Sequence, residues 1–143
     1  NVCNTSERFK ALKALNEAGI PTVVWLCPIL PFINDTKENI LGILDYCSRA
    51  KVKGVICFGM GVTLREGNRE YFYNKLDEYF PGMKEPYMLR YHNAYMLESP
   101  ISHELMQIFH STCEKEGIMH DNNAIFRYLN KFETNGSKQI SWF

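Results

Sequence analysis

Cys27 follows Trp25-Leu26 and precedes Pro28 in the apolar run T-V-V-W-L-C-P-I-L-P-F-I-N-D, so its thiol is the first group to weigh. A redox cysteine of the W-C-x-x-C kind needs a second cysteine three residues on, and position 30 is Leu. A lone buried cysteine behaves as a small hydrophobe, and Cys27 reads as packing. His103-Glu104 opens like the zinc motif H-E-x-x-H, but position 107 is Gln. His103, Gln107, His110 and Cys113 share part of one helix face, which reads as interface or solvated surface, and no metal ligand or catalytic residue is assigned. Gly59-Met60-Gly61 lacks the third glycine of a dinucleotide fingerprint. These glycines let a ligand approach the backbone or make a tight strand exit, and the spacing leaves both open. Arg65-Glu66 and Arg69 read as surface ion pairs.

Sixteen basic residues balance sixteen acidic ones, so net charge gives no reason to expect a polyanion surface. With 143 residues, 45% of them hydrophobic, the chain has the size of one domain. No apolar run reaches the ~18 residues a bilayer span needs, and no secretory signal opens the chain; the expectation is a cytoplasmic protein with no membrane partner. Five widely spaced cysteines without C-x-x-C predict reduced thiols, mostly buried. The chain starts at Asn1 without a Met, and the expectation is a piece of something longer.

Asn4-x-x-Glu7 marks a helix start, and Phe9, Leu12 and Leu15 predict an amphipathic helix stopped by Gly19 and Pro21. Val23 to Leu30 reads as a strand covered on both faces. Asp35-x-x-Glu38 opens a second helix with Ile40, Leu41, Leu44 and Cys47 in one stripe, and Gly54 to Phe58 is a second buried strand. Strand, helix, strand with short links predicts a βαβ unit. In such a unit Pro31 to Asn34 and Gly59 to Gly61 face one crevice, at the strands' carboxyl ends.

Beyond Asn68 the sequence predicts helices: one with Phe72, Leu76, Tyr79 and Phe80 inward, and one over Pro86–Tyr95 with Met88, Tyr91 and Tyr95 on one side. Aromatic content leaves a strand open for the latter. Ser99-Pro100 caps a helix to Glu116 with Leu105, Met106, Phe109 and Cys113 inward, and Asp121 to Phe132 is the last helix. Residues 133–138, E-T-N-G-S-K, form a polar linker to Q-I-S-W-F. Two strands this apolar leave both edges of a parallel pair open. They need further strands, from an amino-terminal half or from another copy.

The stretches R-F-K-A-L-K-A-L-N-E-A-G-I-P-T-V-V-W-L-C-P-I-L-P-F-I-N-D-T-K-E-N-I and G-V-I-C-F-G-M-G-V-T-L-R-E-G-N-R-E-Y-F-Y-N-K-L-D-E-Y-F-P-G resemble the carboxyl-terminal half of radical S-adenosylmethionine proteins of the spore photoproduct lyase-like group, over most of residues 7–132. The resemblance implies an α/β fold, the carboxyl-terminal part of a partial (β/α)6 TIM-like barrel with about two parallel strands, followed by a helical extension. It implies S-adenosylmethionine and a 4Fe-4S cluster in the full-length protein, with the cluster held by a C-x-x-x-C-x-x-C that this sequence does not contain. It further implies that Pro28, Ile29, Leu30 and Asn34 on one strand end, and Cys57, Phe58 and Gly59 on the other, hold the adenosine part, with Arg8 near the methionine carboxylate.

Gln139, Ile140, Trp142 and Phe143 resemble the Q-L-[SD]-L-F peptide by which bacterial repair and replication proteins dock on the sliding clamp. The expectation divides the chain into barrel units at 1–66, a helical extension at 67–132, and a linker with its peptide at 133–143. The function expected is that of an inactive fragment of a radical S-adenosylmethionine enzyme, lyase-like and DNA repair-related. The alternative is a non-catalytic interaction module using its sheet edges and the Q-I-S-W-F tail. The partners expected are the amino-terminal half of the barrel, a second copy of the fragment, and a sliding clamp or nucleic acid.

Overall fold

The computed structural model describes residues 3–131, as helices and short strands in two compact units. One unit holds the chain up to Leu26, Leu41–Phe58 and the chain from Phe109; the other holds Cys27–Ile40 and Gly59–Ile108. Among the described residues, no helix is long and apolar enough to cross a membrane.

In the first unit, α1 (Thr5–Glu17) opens on the predicted cap. The Asn4 side chain accepts from the Glu7 N–H at 2.9 Å, and the Glu7 carboxylate accepts from the Asn4 N–H at 2.9 Å. Two otherwise unpaired donors are satisfied at once. The predicted inward face is only half-covered: α1 has no buried residue, and Phe9 stacks on Tyr46 with ring centroids 4.0 Å apart.

Strands β1 (Val23–Trp25) and β2 (Gly54–Ile56) pair in parallel, Val24 opposite Val55, and α2 (Lys37–Arg49) lies between them in sequence. This is the predicted βαβ unit, in a mixed α/β fold. β1 is shorter than Val23–Leu30, because Pro28 has no N–H to continue a ladder. β2 is buried throughout, as expected, but β1 is not: Val23 and Val24 are half-buried and Trp25 is 57% exposed. The far flank of β2 is closed by the segment before α6 (Asn122–Asn130), where the Val55 N–H donates to the Met119 carbonyl at 2.8 Å. A Cβ on Gly54 would lie 3.0 Å from that carbonyl, so the close approach depends on glycine. Leu44, Cys47, Val55, Phe109, Cys113 and Ile125 are fully buried in this unit.

The second unit contains two strands that the sequence does not announce, β3 (Gly61–Thr63) and β4 (Met96–Glu98), antiparallel with Val62 opposite Leu97. Three residues are too few to show a two-residue period, and an all-helical reading of residues 67–132 passes over β4. Gly61 makes the pairing possible: a Cβ there would sit 2.5 Å from the Leu97 carbonyl oxygen and 3.0 Å from the Glu98 Cα. Helices α3 (Asn68–Tyr79) and α4 (Lys84–Tyr91) bury Tyr73, Leu76, Tyr87 and Tyr91 against Leu64 and Leu97. The inward face therefore differs from the one expected, since Tyr79, Met88 and Tyr95 are exposed. Tyr87 and Tyr91, one helical turn apart, are the residues that reach the core.

α5 (Ser102–Glu116) starts two residues later than the Ser99-Pro100 cap suggests, and buries Leu105, Phe109 and Cys113 as predicted. The start of α2 differs more. Thr36 Oγ1 accepts from the Asn39 N–H at 3.2 Å, while Asp35, read as the cap, is buried and accepts from Ser99 Oγ at 2.6 Å.

Two glycine substitutions separate these uses. Gly61→Ala forces a Cβ into immovable backbone and should destabilise the chain by ~1–3 kcal/mol. Gly42→Ala, inside α2 with nothing within 4 Å of the added Cβ, should stabilise it by ~0.5–1 kcal/mol. Urea midpoints should move in opposite directions at constant m-value.

Candidate functional site

The exit from β1 forms a tightly bonded turn in the second unit. The Ile29 N–H donates to the Gly61 carbonyl at 3.1 Å, and the Leu30 N–H donates to Asn34 Oδ1 at 2.6 Å. The Pro31 carbonyl accepts from the buried Tyr87 hydroxyl, whose pKa burial pushes well up, keeping it protonated as a donor. Phe32 takes the left-handed conformation, φ 62°, and its ring meets Tyr87 edge-on at 5.6 Å. Asp35 and Ser99 close the turn beyond it. A non-glycine residue held at positive φ by bonds on both sides is a pre-organised backbone.

Within this unit the structure brings Pro28, Ile29, Leu30 and Asn34 into one turn beside Gly61. Ile29 is buried, and the Asn34 side chain braces the turn, so what this exit offers a ligand is backbone and the rim of the turn. Gly59 has φ 141°, and a Cβ placed there meets nothing within 4 Å. The two glycines thus answer differently: Gly61 is an internal packing requirement, whereas Gly59 is required by its positive φ.

Cys57 and Phe58 belong to the first unit. Cys57 is buried, and the Asn122 side chain grips its main chain twice, accepting from the N–H at 3.3 Å and donating to the carbonyl at 2.9 Å. Asn122 acts as a substitute strand at the carboxyl end of β2, a role no local motif announces. Phe58 is 62% exposed and stands in a row of rings, 5.6 Å from Trp25 and 6.4 Å from Phe126. Arg8 is exposed on α1.

The candidate metal face separates. His103 and His110 are exposed, His103 with Gln107 at 3.1 Å and His110 against the His120 ring at 5.2 Å, while Cys113 points into the core. Among the described residues, no three His, Cys, Asp or Glu side chains are grouped to hold a metal. Arg69, read as an ion-pair residue, donates to the carbonyls of His92, Asn93 and Ala94 at 3.3, 3.2 and 2.7 Å, tying down the chain that enters β4. A groove of about 590 Å³ lies between Arg90, Glu98, Ser99, Ser102 and His103, and Ser102 Oγ already donates to Glu98 Oε1 at 2.7 Å. Gln139, Ile140, Trp142 and Phe143 lie outside the described residues.

Comparisons of the chain with protein families, with curated proteins and with solved structures find no match.

The thiols divide by burial. Cys3 is exposed, and so is Cys27, which therefore does not pack as expected; Cys47, Cys57 and Cys113 are buried. Burial pushes Cys47 and Cys113 up from 9.0 to about 12. Alkylating reagents at pH 8 should label Cys3 and Cys27 in the native chain and the other three only in urea, as peptide mapping would show. Because the folded pKa values are the higher ones, this contribution is intact below pH ~9, where the unfolded thiols are still protonated, and is lost as pH rises towards ~12. Urea stability should fall in that window by about 1.4 kcal/mol per pH unit for each thiol. The double variant Cys47→Ala, Cys113→Ala should start less stable and show a shallower slope.

Proposed function

We propose that these residues are the last two βα units of a partial (β/α)6 barrel in a radical S-adenosylmethionine enzyme of the spore photoproduct lyase-like group, followed by a helical extension. One observation carries the reading: among the described residues, the parallel β1–β2 pair is closed on the β2 side by the Met119 segment and open on the β1 side. A barrel that continues through earlier strands needs that asymmetry. The sequence agrees, since Gly19 to Asn34 contains no charged residue to guard a permanent edge.

In such an enzyme S-adenosylmethionine, bound at a 4Fe-4S cluster, would supply the radical chemistry. The residue present that suits the nucleoside part is Phe58, whose exposed ring can stack on a base. The residues present do not fit the cluster, because the sequence has no C-x-x-x-C-x-x-C. In this reading the chain shapes and orients, and the cluster is held elsewhere in the protein. Nucleic acid as substrate enters only through the resemblance. The open edge equally favours the second reading, an interaction module, and the position of the cluster motif tells the two apart.

Anaerobic reconstitution of the 143-residue chain with iron and sulfide should give no cluster absorbance. The reading frame upstream of Asn1 should encode C-x-x-x-C-x-x-C within about 150 residues, a usual domain length. A stoichiometric cluster on this chain, or an upstream frame without the motif, overturns the proposal.

A further inference from the structure

The free edge of β1 has a definite hydrogen-bond pattern. The Thr22 carbonyl accepts from the Lys53 N–H at 2.8 Å, and the Leu26 N–H donates to the Ile56 carbonyl at 2.9 Å. Strand alternation then turns the main-chain groups of Val23 and Trp25 away from β2. Among the described residues β1 pairs with β2 alone, and its side chains are half-buried or exposed. Natural edges are blunted by charge, bulge or cover, and no charged residue stands between Gly19 and Asn34.

We propose that in the 143-residue chain this edge is a self-complementary interface: β1 of a second copy pairs with it antiparallel, giving the sheet order β2-β1-β1′-β2′. Two copies of one edge related by a two-fold axis normal to the sheet run antiparallel, so the symmetry closes at a dimer. The outward groups fix the register. Hydrogen-bonded pairs form where outward-facing residues meet, so Val23 lies opposite the second copy's Trp25, Trp25 lies opposite its Val23, and Val24 faces its Val24 across the axis. Shifting the pairing towards the amino terminus would oppose Pro21, which has no N–H. The favoured register also makes two Trp–Val cross-strand pairs, an aromatic against a β-branched side chain. An uncharged edge carries no like-charge penalty against its own copy. The inference uses the same edge as the radical-enzyme reading but concerns the 143-residue chain by itself, so a monomer would leave that reading standing.

Light scattering of the 143-residue chain from about 1 to 100 µM should show the mass rising towards twice 16.7 kDa. Val23→Lys with Trp25→Lys should hold it at the monomer mass with an unchanged far-ultraviolet circular dichroism spectrum. Val24→Cys, in a Cys3→Ser, Cys27→Ser background, should oxidise to a covalent dimer. The facing Cα atoms of that pair are ~4.5 Å apart, within disulfide reach. Val23→Cys in the same background should cross-link less. A monomer at every concentration, a dimer indifferent to the two lysines, or cross-linking through Val23 in preference to Val24 overturns the proposal.

Discussion

The parallel pairing of β1 with β2 is the contact on which the first unit depends. Three residues of each strand meet, too few for a sheet to persist by its own ladder, so the flanks decide its stability. On the β2 side the chain supplies cover three times over: the Met119 carbonyl takes the Val55 N–H, Asn122 holds both main-chain groups of Cys57, and Ile125 packs over Gly54. On the β1 side the described residues supply nothing comparable. The asymmetry is built into the sequence, because Gly54 admits a neighbour that a Cβ would exclude.

The second unit is organised by buried polar groups that each find one partner. Tyr87 reaches the Pro31 carbonyl, Tyr91 the Glu98 carbonyl, and Ser99 the Asp35 carboxylate. A buried donor left alone costs about 1–3 kcal/mol, so each bond restricts how far the turn after β1 can shift relative to β4 within this unit. Tyr73 is the exception, its hydroxyl buried without a partner among the described residues. The outcome is a stiff turn whose backbone is held from inside.

Much of this was legible in the sequence where the signal is local or periodic. The Asn4–Glu7 box, the α2 stripe, the buried β2 and the last helix after Asp121 follow from local pattern alone. What stayed hidden depends on partners distant in sequence. Asp35 has the spacing of a cap, yet Ser99, 64 residues away, outbids the helix for its carboxylate. Tyr87 replaces Met88 in the core because burial and a carbonyl at Pro31 are both available to it. β3 and β4 are too short for a period, and Gly61, which permits them, reads locally as any strand exit.

The same reasoning bears on what the strand ends can contribute to a reaction. Asp35 is occupied by Ser99, Cys57 is buried with its main chain gripped by Asn122, and the buried thiols of Cys47 and Cys113 stay protonated far above neutral pH. A thiol acts as nucleophile or ligand through its thiolate, so these two are packing residues under ordinary conditions. Exposed rings remain, Trp25 and Phe58. Such groups select a ligand by shape and stacking while donating no proton and forming no bond.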